Sequence, residues 1–557
     1  MTRRGFDRAA MLAELRNETF DVLVIGGGIT GVGVALDAAA RGWRVALVER
    51  DDFASGTSSK SSKMIHGGLR YLQNGDVRLV YEALRERRRL MRNAPHLVEV
   101  LPFMIPIMTK DSVVSRKIAR ALGAAMWMYD LTGGWRIGRM HKRLSATDAA
   151  RHFPTTQTER LSSAYLYFDA GADDARLVVS IARTAARHGA VLVNRCEVVD
   201  ITTDAAGAAS GAIVAADGEQ FPVAAHMVVN AAGVWSDAVR ALDEGIDPES
   251  IRPAKGVHIT IPWAKVRNDI AVIIPVKRDK RSLFLVPWGE QADGTFSHTY
   301  VGTTDTDYDG PLDTPQCTED DIDYVLEALN EALTSTIAQA DITGVWAGLR
   351  PLVNTAPGDE SGATADLSRN HDVAVSEHGV VRVSGGKLTT YRKMAEDTVD
   401  EVARRLGRRP RARRSESTRA MKLLGAEGFR PGTHATAADR HLAHRYGTLA
   451  PEVKALVAFD PELGAPLADR HPYLRAEVVY AVRHEMAATL ADVLERRTRL
   501  HILDREAALA AAPVVASLMA RELDWDDAES ERQLDHYRQR CAAEEAAARA
   551  SVSHTSD

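Results

Sequence analysis

Cysteine is scarce. The 557-residue chain has Cys196, Cys317 and Cys541, with no CxxC pair and no metal-ligand spacing. That argues against a disulfide framework or a metal site and fits a reducing, cytoplasmic compartment. Long apolar runs are also missing. No stretch reaches the roughly 18 residues of a membrane-crossing helix. The opening segment, MTRRGFDRAAMLAELRNETF, carries charges throughout and has no apolar core of a secretory signal. Positive charge is not in excess either: the net charge is −6, so nothing global calls for nucleic acid. The arginine runs at 85–92 and 404–414 read as solvated faces.

What is present is an ordinary globular composition, 45% hydrophobic and 26% charged, in a chain long enough for two or three domains. Residues 1–19 read as a short amphipathic helix, and 75–95 as a helix with an exposed basic face. Residues 112–130 are read as helical too. Strands mixed with a few helices fill 160–390. A break falls at RRLGRRPRARRSESTR, Arg404 to Arg419, an exposed linker by composition. Beyond it the chain turns helical and alanine-rich to about 545. No internal repeat is visible.

The most informative segment is DVLVIGGGITGVGVALDAAARGWRVALVER, Asp21 to Arg50. It reads as strand, glycine turn, helix, strand. Gly26 makes the tight turn, Gly28 lets backbone approach a pyrophosphate, and Gly31 packs helix on strand. The helix N-terminus favours phosphate charge. Glu49 closes the second strand 18 residues past Gly31, where it can accept ribose hydroxyls and would repel a 2′-phosphate. The motif alone leaves FAD and NAD open. The layout favours FAD, because a serine-rich stretch follows Glu49 and strands return only after about 160. NAAG at Asn230–Gly233 then ends an apolar strand, as if closing the same domain.

Six segments together resemble the FAD-dependent, respiratory-type glycerol-3-phosphate dehydrogenases. They are TSSKSSKMIHGGLRYL (57–72), NAAGVWSD (230–237), VGTTDTDYDG (301–310), GLRPLV (348–353), SGGKLTTYRKMAE (384–396) and YAVRHEMAATLADVLERRTRL (480–500). Lys60 and Met64 are minor departures. The resemblance implies an α/β (α+β) flavoprotein: a Rossmann-like FAD-binding domain, an inserted antiparallel-sheet substrate domain, and a C-terminal all-α domain. The expected division is 1–95 for the first FAD-binding part and 96–405 for the substrate sheet, interleaved with further FAD-binding segments at about 160–240 and 345–400. Residues 406–418 are the linker, 419–545 the helical domain and 546–557 a disordered tail. The resemblance also implies oxidation of sn-glycerol 3-phosphate to dihydroxyacetone phosphate, with electrons passed to a membrane quinone. The alternative is a glycerol-3-phosphate oxidase that uses oxygen and releases hydrogen peroxide.

The serine-rich stretch can serve cofactor and substrate together. Thr57, Ser58, Ser59, Ser61 and Ser62 offer hydroxyls to the diphosphate and ribityl chain. Lys63 carries charge near the flavin, and Gly67, Gly68, Gly233, Gly385 and Gly386 let backbone approach the cofactor. Phosphate is a dianion that planar guanidinium groups bind with paired hydrogen bonds. The resemblance makes Arg70, Tyr71, Arg350 and Lys387 the substrate clamp, with Thr389 or Thr390 nearby. Removing the hydroxyl proton needs a base, and His258 in KGVHITIP and His66 are the candidates. Arg350 can also polarise the hydroxyl.

Contact with a membrane surface is expected at 116–143, where seven Lys or Arg residues flank an apolar, Trp-containing segment. There Val114, Ile118, Leu122 and Met126 repeat every four residues. The expected setting is the cytoplasmic side of the cell membrane, on anionic lipid, with a homodimer as an open alternative. HEMAATLADVLERRTRL is expected to pack on the core.

Overall fold

The computed structural model describes residues 5–69, 76–108, 116–246, 249–279, 281–291, 293–353, 371–407, 418–432 and 436–550. Arg70 and Tyr71 therefore lie outside the described residues, as do 551–557 and most of the arginine-rich linker.

The run Val22–Val24 is fully buried, as a strand covered on both faces must be. Phe20–Ile25 pairs in parallel with Val45–Val48 on one side and Glu219–Asn230 on the other. Val191–Val193 and Val381–Gly385 extend this parallel sheet, and His371–Val375 closes it as an antiparallel edge. Glu197–Thr203 and Ala209–Ala216 form an antiparallel branch from Glu219–Asn230. Helix Ile29–Ala40 lies against Tyr391–Leu406. Gly33 permits that approach, since a Cβ there would stand 2.9 Å from the Tyr391 ring.

The second sheet is built mainly from antiparallel pairs. Ile251–Pro262 is flanked by Phe296–Gly302 and Gly344–Val353. The sheet continues through Ser282–Glu290 and Ala271–Pro275 to Val98–Met108 and Leu161–Ala172. It is not purely antiparallel: Ala271–Pro275 runs parallel to Val98–Met108 at Ala271↔Phe103 and Val272↔Met104. The serine-rich stretch joins this sheet through Met64–Ile65, which pairs with Ala170 and Gly171.

Helices Ala437–Tyr446, Ala450–Phe459, Arg475–Glu485, Arg505–Leu523 and Asp527–Ala547 dominate the C-terminal part. The expectation that HEMAATLADVLERRTRL packs on the core holds, although its charges pack as well. Arg496, Arg497 and Arg499 are buried. Arg496 and Arg497 both reach Asp52, and Arg499 reaches Asp174.

Three expectations need revision. Val77–Asn93 is helical, but its basic face is not all solvated. Arg87 is fully buried against Asp169, and Glu86 holds Arg392 from the later helix. The first residues of the expected tail are ordered: the last helix runs to Ala547, and Ala548 is buried with its carbonyl accepting from Gln339. Helix Arg116–Thr132 buries Met126 and turns Leu122 toward the main cavity, so these two residues of the stripe face inward, while Val114 and the Ile118 side chain lie outside the described residues. Its outer side carries other apolar groups, with Trp127 55% and Leu131 73% exposed.

Candidate active site

A strand with no room on either face delivers the first glycine turn. Gly26 has φ +108°, and a Cβ there would lie 2.8 Å from the Ala231 carbonyl oxygen. NAAG therefore stacks directly on the turn, and Ala231 donates its backbone N–H to the Ile25 carbonyl. A Cβ on Gly31 would come within 1.9 Å of the Gly26 oxygen, so the helix can start this close to the strand only with glycine. The Gly28 N-cap offers no side chain, and Ser58 Oγ accepts from Ile29 N at 2.9 Å. Glu49 accepts from Gly27 N at 2.6 Å and from Asp51 N at 2.8 Å, and burial pushes its carboxyl up to about 7. Gly233, at φ +63°, faces open space. A cradle of bare backbone, an acid and a helix N-terminus without an N-cap side chain fits a dinucleotide diphosphate and ribose.

Beside this cradle opens a cavity of about 670 Å³. The serine-rich stretch forms one wall with Thr57, Ser61, Ser62, His66 and Gly68, and Gly385, Gly386, Lys387 and Thr389 form another. The large sheet supplies His258, Arg281 and Arg350. Gly68, Gly385 and Gly386 all have positive φ, which glycine adopts without steric cost.

His258 is 2% exposed. Its Nε2 lies 2.8 Å from Ser62 Oγ, and its ring stacks on Trp346 at 4.7 Å. Burial, then the charges of Lys63 and Arg350, hold its pKa well below the usual histidine range. The imidazole is therefore neutral at neutral pH and able to take a proton. Arg350 is aimed by Asp305 at 2.9 Å and by Thr303 Oγ1 and the Thr304 carbonyl at 3.1 Å each. His66 is held through its backbone: its N–H donates to Thr389 Oγ1, which donates back to its carbonyl.

Several expected cofactor or substrate groups are buried away from the cavity or spend their hydroxyl protons within the protein. Lys63 does not line the cavity. It is 1% exposed, 3.5 Å from Asp174 and 4.4 Å above the Trp346 ring, and burial lowers its ammonium to about 7. Ser59 is buried, and its carbonyl accepts from Arg499. Thr57 donates to the Leu349 carbonyl and Ser61 to Asp174. Thr390 is buried and donates to the Lys387 carbonyl. Gly67 is small for packing rather than for flavin approach: a Cβ there would meet Leu84 at 2.4 Å and Tyr129 Oη at 2.5 Å.

Sequence reasoning missed Arg281, which lines the cavity and donates to the Asp305 carbonyl at 2.5 Å. In sequence it is one base in VKRDKRS. Only the antiparallel pairing of Phe284 with Gly302, continued past the strand ends, brings it beside Asp305, Arg350's partner.

Comparison with known proteins agrees with this geometry. Residues 21–392 match the family model "FAD dependent oxidoreductase", and 416–530 match "C-terminal domain of alpha-glycerophosphate oxidase". The chain is 40% identical to glycerol-3-phosphate dehydrogenase 2 of Mycobacterium tuberculosis, over 96% of this chain and 90% of that protein. It is 38% identical to the human mitochondrial glycerol-3-phosphate dehydrogenase, over 96% of this chain and 75% of that one. The crystal structure of the Bacillus halodurans glycerol-3-phosphate dehydrogenase complexed with FAD superposes with a TM-score of 0.75, at 28% identity, over 96% and 97% of the two chains. The chain belongs to the FAD-dependent glycerol-3-phosphate dehydrogenase family.

Proposed function

We propose that this enzyme oxidises sn-glycerol 3-phosphate to dihydroxyacetone phosphate in the 670 Å³ cavity and passes the electrons to a membrane quinone. The observation that carries the reading is one cavity lined by both kinds of group the reaction needs. Arg350, Arg281 and Lys387 give a cationic end for a phosphate, and His258 gives a neutral base. FAD bound at the glycine cradle supplies the hydride acceptor. The chain's own work is positional. Arg350 offers the planar fork that matches phosphate oxygens, and Lys387 and Arg281 add charge. His258 Nε2 takes the proton of the C2 hydroxyl through Ser62, whose Oγ stands 2.8 Å away: the serine passes its own proton to Nε2 and receives the substrate's. Trp346 and the surrounding sheet keep water from the imidazole.

The test is anaerobic mixing of the yellow holoenzyme with glycerol 3-phosphate. Rapid bleaching of the flavin band is expected, slowed about 10²–10⁴-fold in His258→Gln with little change in substrate affinity. Bleaching at the parental rate removes His258 from the chemistry. Re-oxidation by a soluble quinone analogue should outpace re-oxidation by oxygen. Fast oxygen use with stoichiometric peroxide would instead establish the oxidase.

The same reading assigns the surface bearing Trp127, Met128 and Leu131 to an anionic lipid surface, with Val77, Tyr81 and Met140 also exposed. No helix among the described residues is long and apolar enough to cross a membrane. Trp127→Asp with Leu131→Asp should abolish co-sedimentation with anionic vesicles and leave dye-linked oxidation intact. Retained co-sedimentation would rule out this surface.

A further inference from the structure

Far along the chain from the glycine cradle, three metal-ligating side chains converge from three segments. His298 comes from strand Phe296–Gly302, His471 from the loop before helix Arg475–Glu485, and Asp504 from the N-cap of helix Arg505–Leu523. Their donor atoms all lie within 4.8 Å of one another, and both histidines are buried. The two rings stack at 5.5 Å with 19° between planes. None of the three lines the main cavity.

The hydrogen bonds around them fix which atoms remain available. Ser297 Oγ gives its only proton to the Trp288 carbonyl at 3.1 Å. It can then only accept at its 3.0 Å contact with His298 Nδ1. His298 is therefore the Nδ1–H tautomer, and its Nε2 carries a lone pair. Asp504 spends Oδ1 on the helix, accepting from Ala507 N at 2.9 Å, and turns Oδ2 to His471 Nε2 at 3.3 Å. This is the outer-shell arrangement of a metal ligand set: the second nitrogen of a histidine and the second oxygen of a carboxylate are each held by a hydrogen bond. The remaining donors are two imidazole nitrogens and one carboxylate oxygen. That set suits Zn²⁺ or a related borderline divalent ion in a four-coordinate site with one water.

We infer that His298, His471 and Asp504 form a divalent transition-metal site that pins the substrate-side sheet to the C-terminal helices. On binding, His471 takes its Nδ1–H tautomer by proton exchange through solvent, and Nε2 and Asp504 Oδ2, now 3.3 Å apart, each turn a lone pair to the ion. A zinc ion held at about 2.0–2.2 Å by each tetrahedral ligand sets the donors about 3.4 Å apart; His471 Nε2 and Asp504 Oδ2 already stand at 3.3 Å, and the donors of the set lie within 4.8 Å of one another. Rotation of the two rings and of the Asp504 carboxylate supplies the remaining closure.

The test uses untagged, chelator-treated holoenzyme and cobalt(II), then zinc. One cobalt per chain is expected, with intense visible ligand-field bands that zinc displaces and a higher unfolding temperature in its presence. Asp504→Asn keeps an N-cap acceptor for Ala507 yet removes the anionic ligand, and it should weaken cobalt binding at least about tenfold. His298→Gln should do the same, and flavin content reports whether each variant is folded. Ser297→Ala frees the His298 tautomer and should weaken binding by a smaller factor. Absence of stoichiometric cobalt on the wild-type protein overturns the site, as does parental binding in either folded ligand variant.

Discussion

Arg497 and Arg350 do opposite work. Arg497 is 1% exposed and donates to both oxygens of Asp52, at 2.7 and 2.9 Å, and to the Glu485 carbonyl at 2.7 Å. It is an internal strut tying the C-terminal helices to the loop after Glu49. The Arg350 side chain is 24% exposed, is oriented by Asp305, and lines a cavity with Arg281 and Lys387. Arg497 is answered by the buried carboxylates of Asp52, Asp492 and Glu485. At the cavity wall bases outnumber acids, and the surplus is where an anion belongs.

The sharpest way to break this comparison is to delete each arginine and read stability and turnover separately. Arg497→Ala leaves buried carboxylates short of a partner and should lower stability by about 3–5 kcal/mol. Urea or thermal unfolding of the holoenzyme would show it, and an unchanged midpoint would deny the strut. Arg350→Lys should instead leave the midpoint near parental and lower kcat/KM by about 2–5 kcal/mol in transition-state terms, because a point charge replaces a fork. Near-normal kinetics would take Arg350 out of the site. Arg281→Met should cost about tenfold in kcat/KM, since Lys387 and Arg350 still hold the phosphate end. No change there would reduce Arg281 to an orienting contact for Asp305.

The smallest expected effect is on pH dependence. His258 is depressed by burial, by Lys63 and by Arg350, so its charged form appears only well below the ordinary histidine value. The base is active when neutral, so acidification inactivates it, and the depressed pKa pushes that loss to lower pH. Flavin reduction at saturating substrate should stay flat as pH falls through about 6.5. Lys63→Gln removes one depressing charge and should move the acid limb upward. A limb near 6.5 in the parent would mean that the base titrates as an ordinary histidine.

Legibility in the sequence followed locality. Gly26, Gly28, Gly31 and Glu49 were readable because the turn, the helix start and the acid lie within one strand–helix–strand unit, with short-range steric reasons for each. Arg350 and Lys387 were assigned on motif resemblance, and both line the cavity. Lys63, Ser59 and Gly67 were misread, although they belong to the same motif, because a side chain's direction depends on distant partners. Asp174 draws Lys63 away from the cavity, Arg499 bonds the Ser59 carbonyl, and Leu84 with Tyr129 crowds Gly67. The amphipathic stripe of helix Arg116–Thr132 was visible as a period. Its direction was not, since period alone does not say which apolar face meets the core.

The sequence by itself determined the glycine turn, the strand-and-helix order around it and the family. Each rests on residues a few positions apart, where backbone sterics and apolar runs leave little choice. The tertiary structure alone decided which arginines are struts and which line the cavity, that Arg281 is among the latter, and that His298, His471 and Asp504 meet. Those outcomes depend on pairings across tens to hundreds of residues, where burial and counter-charge are set by the whole fold.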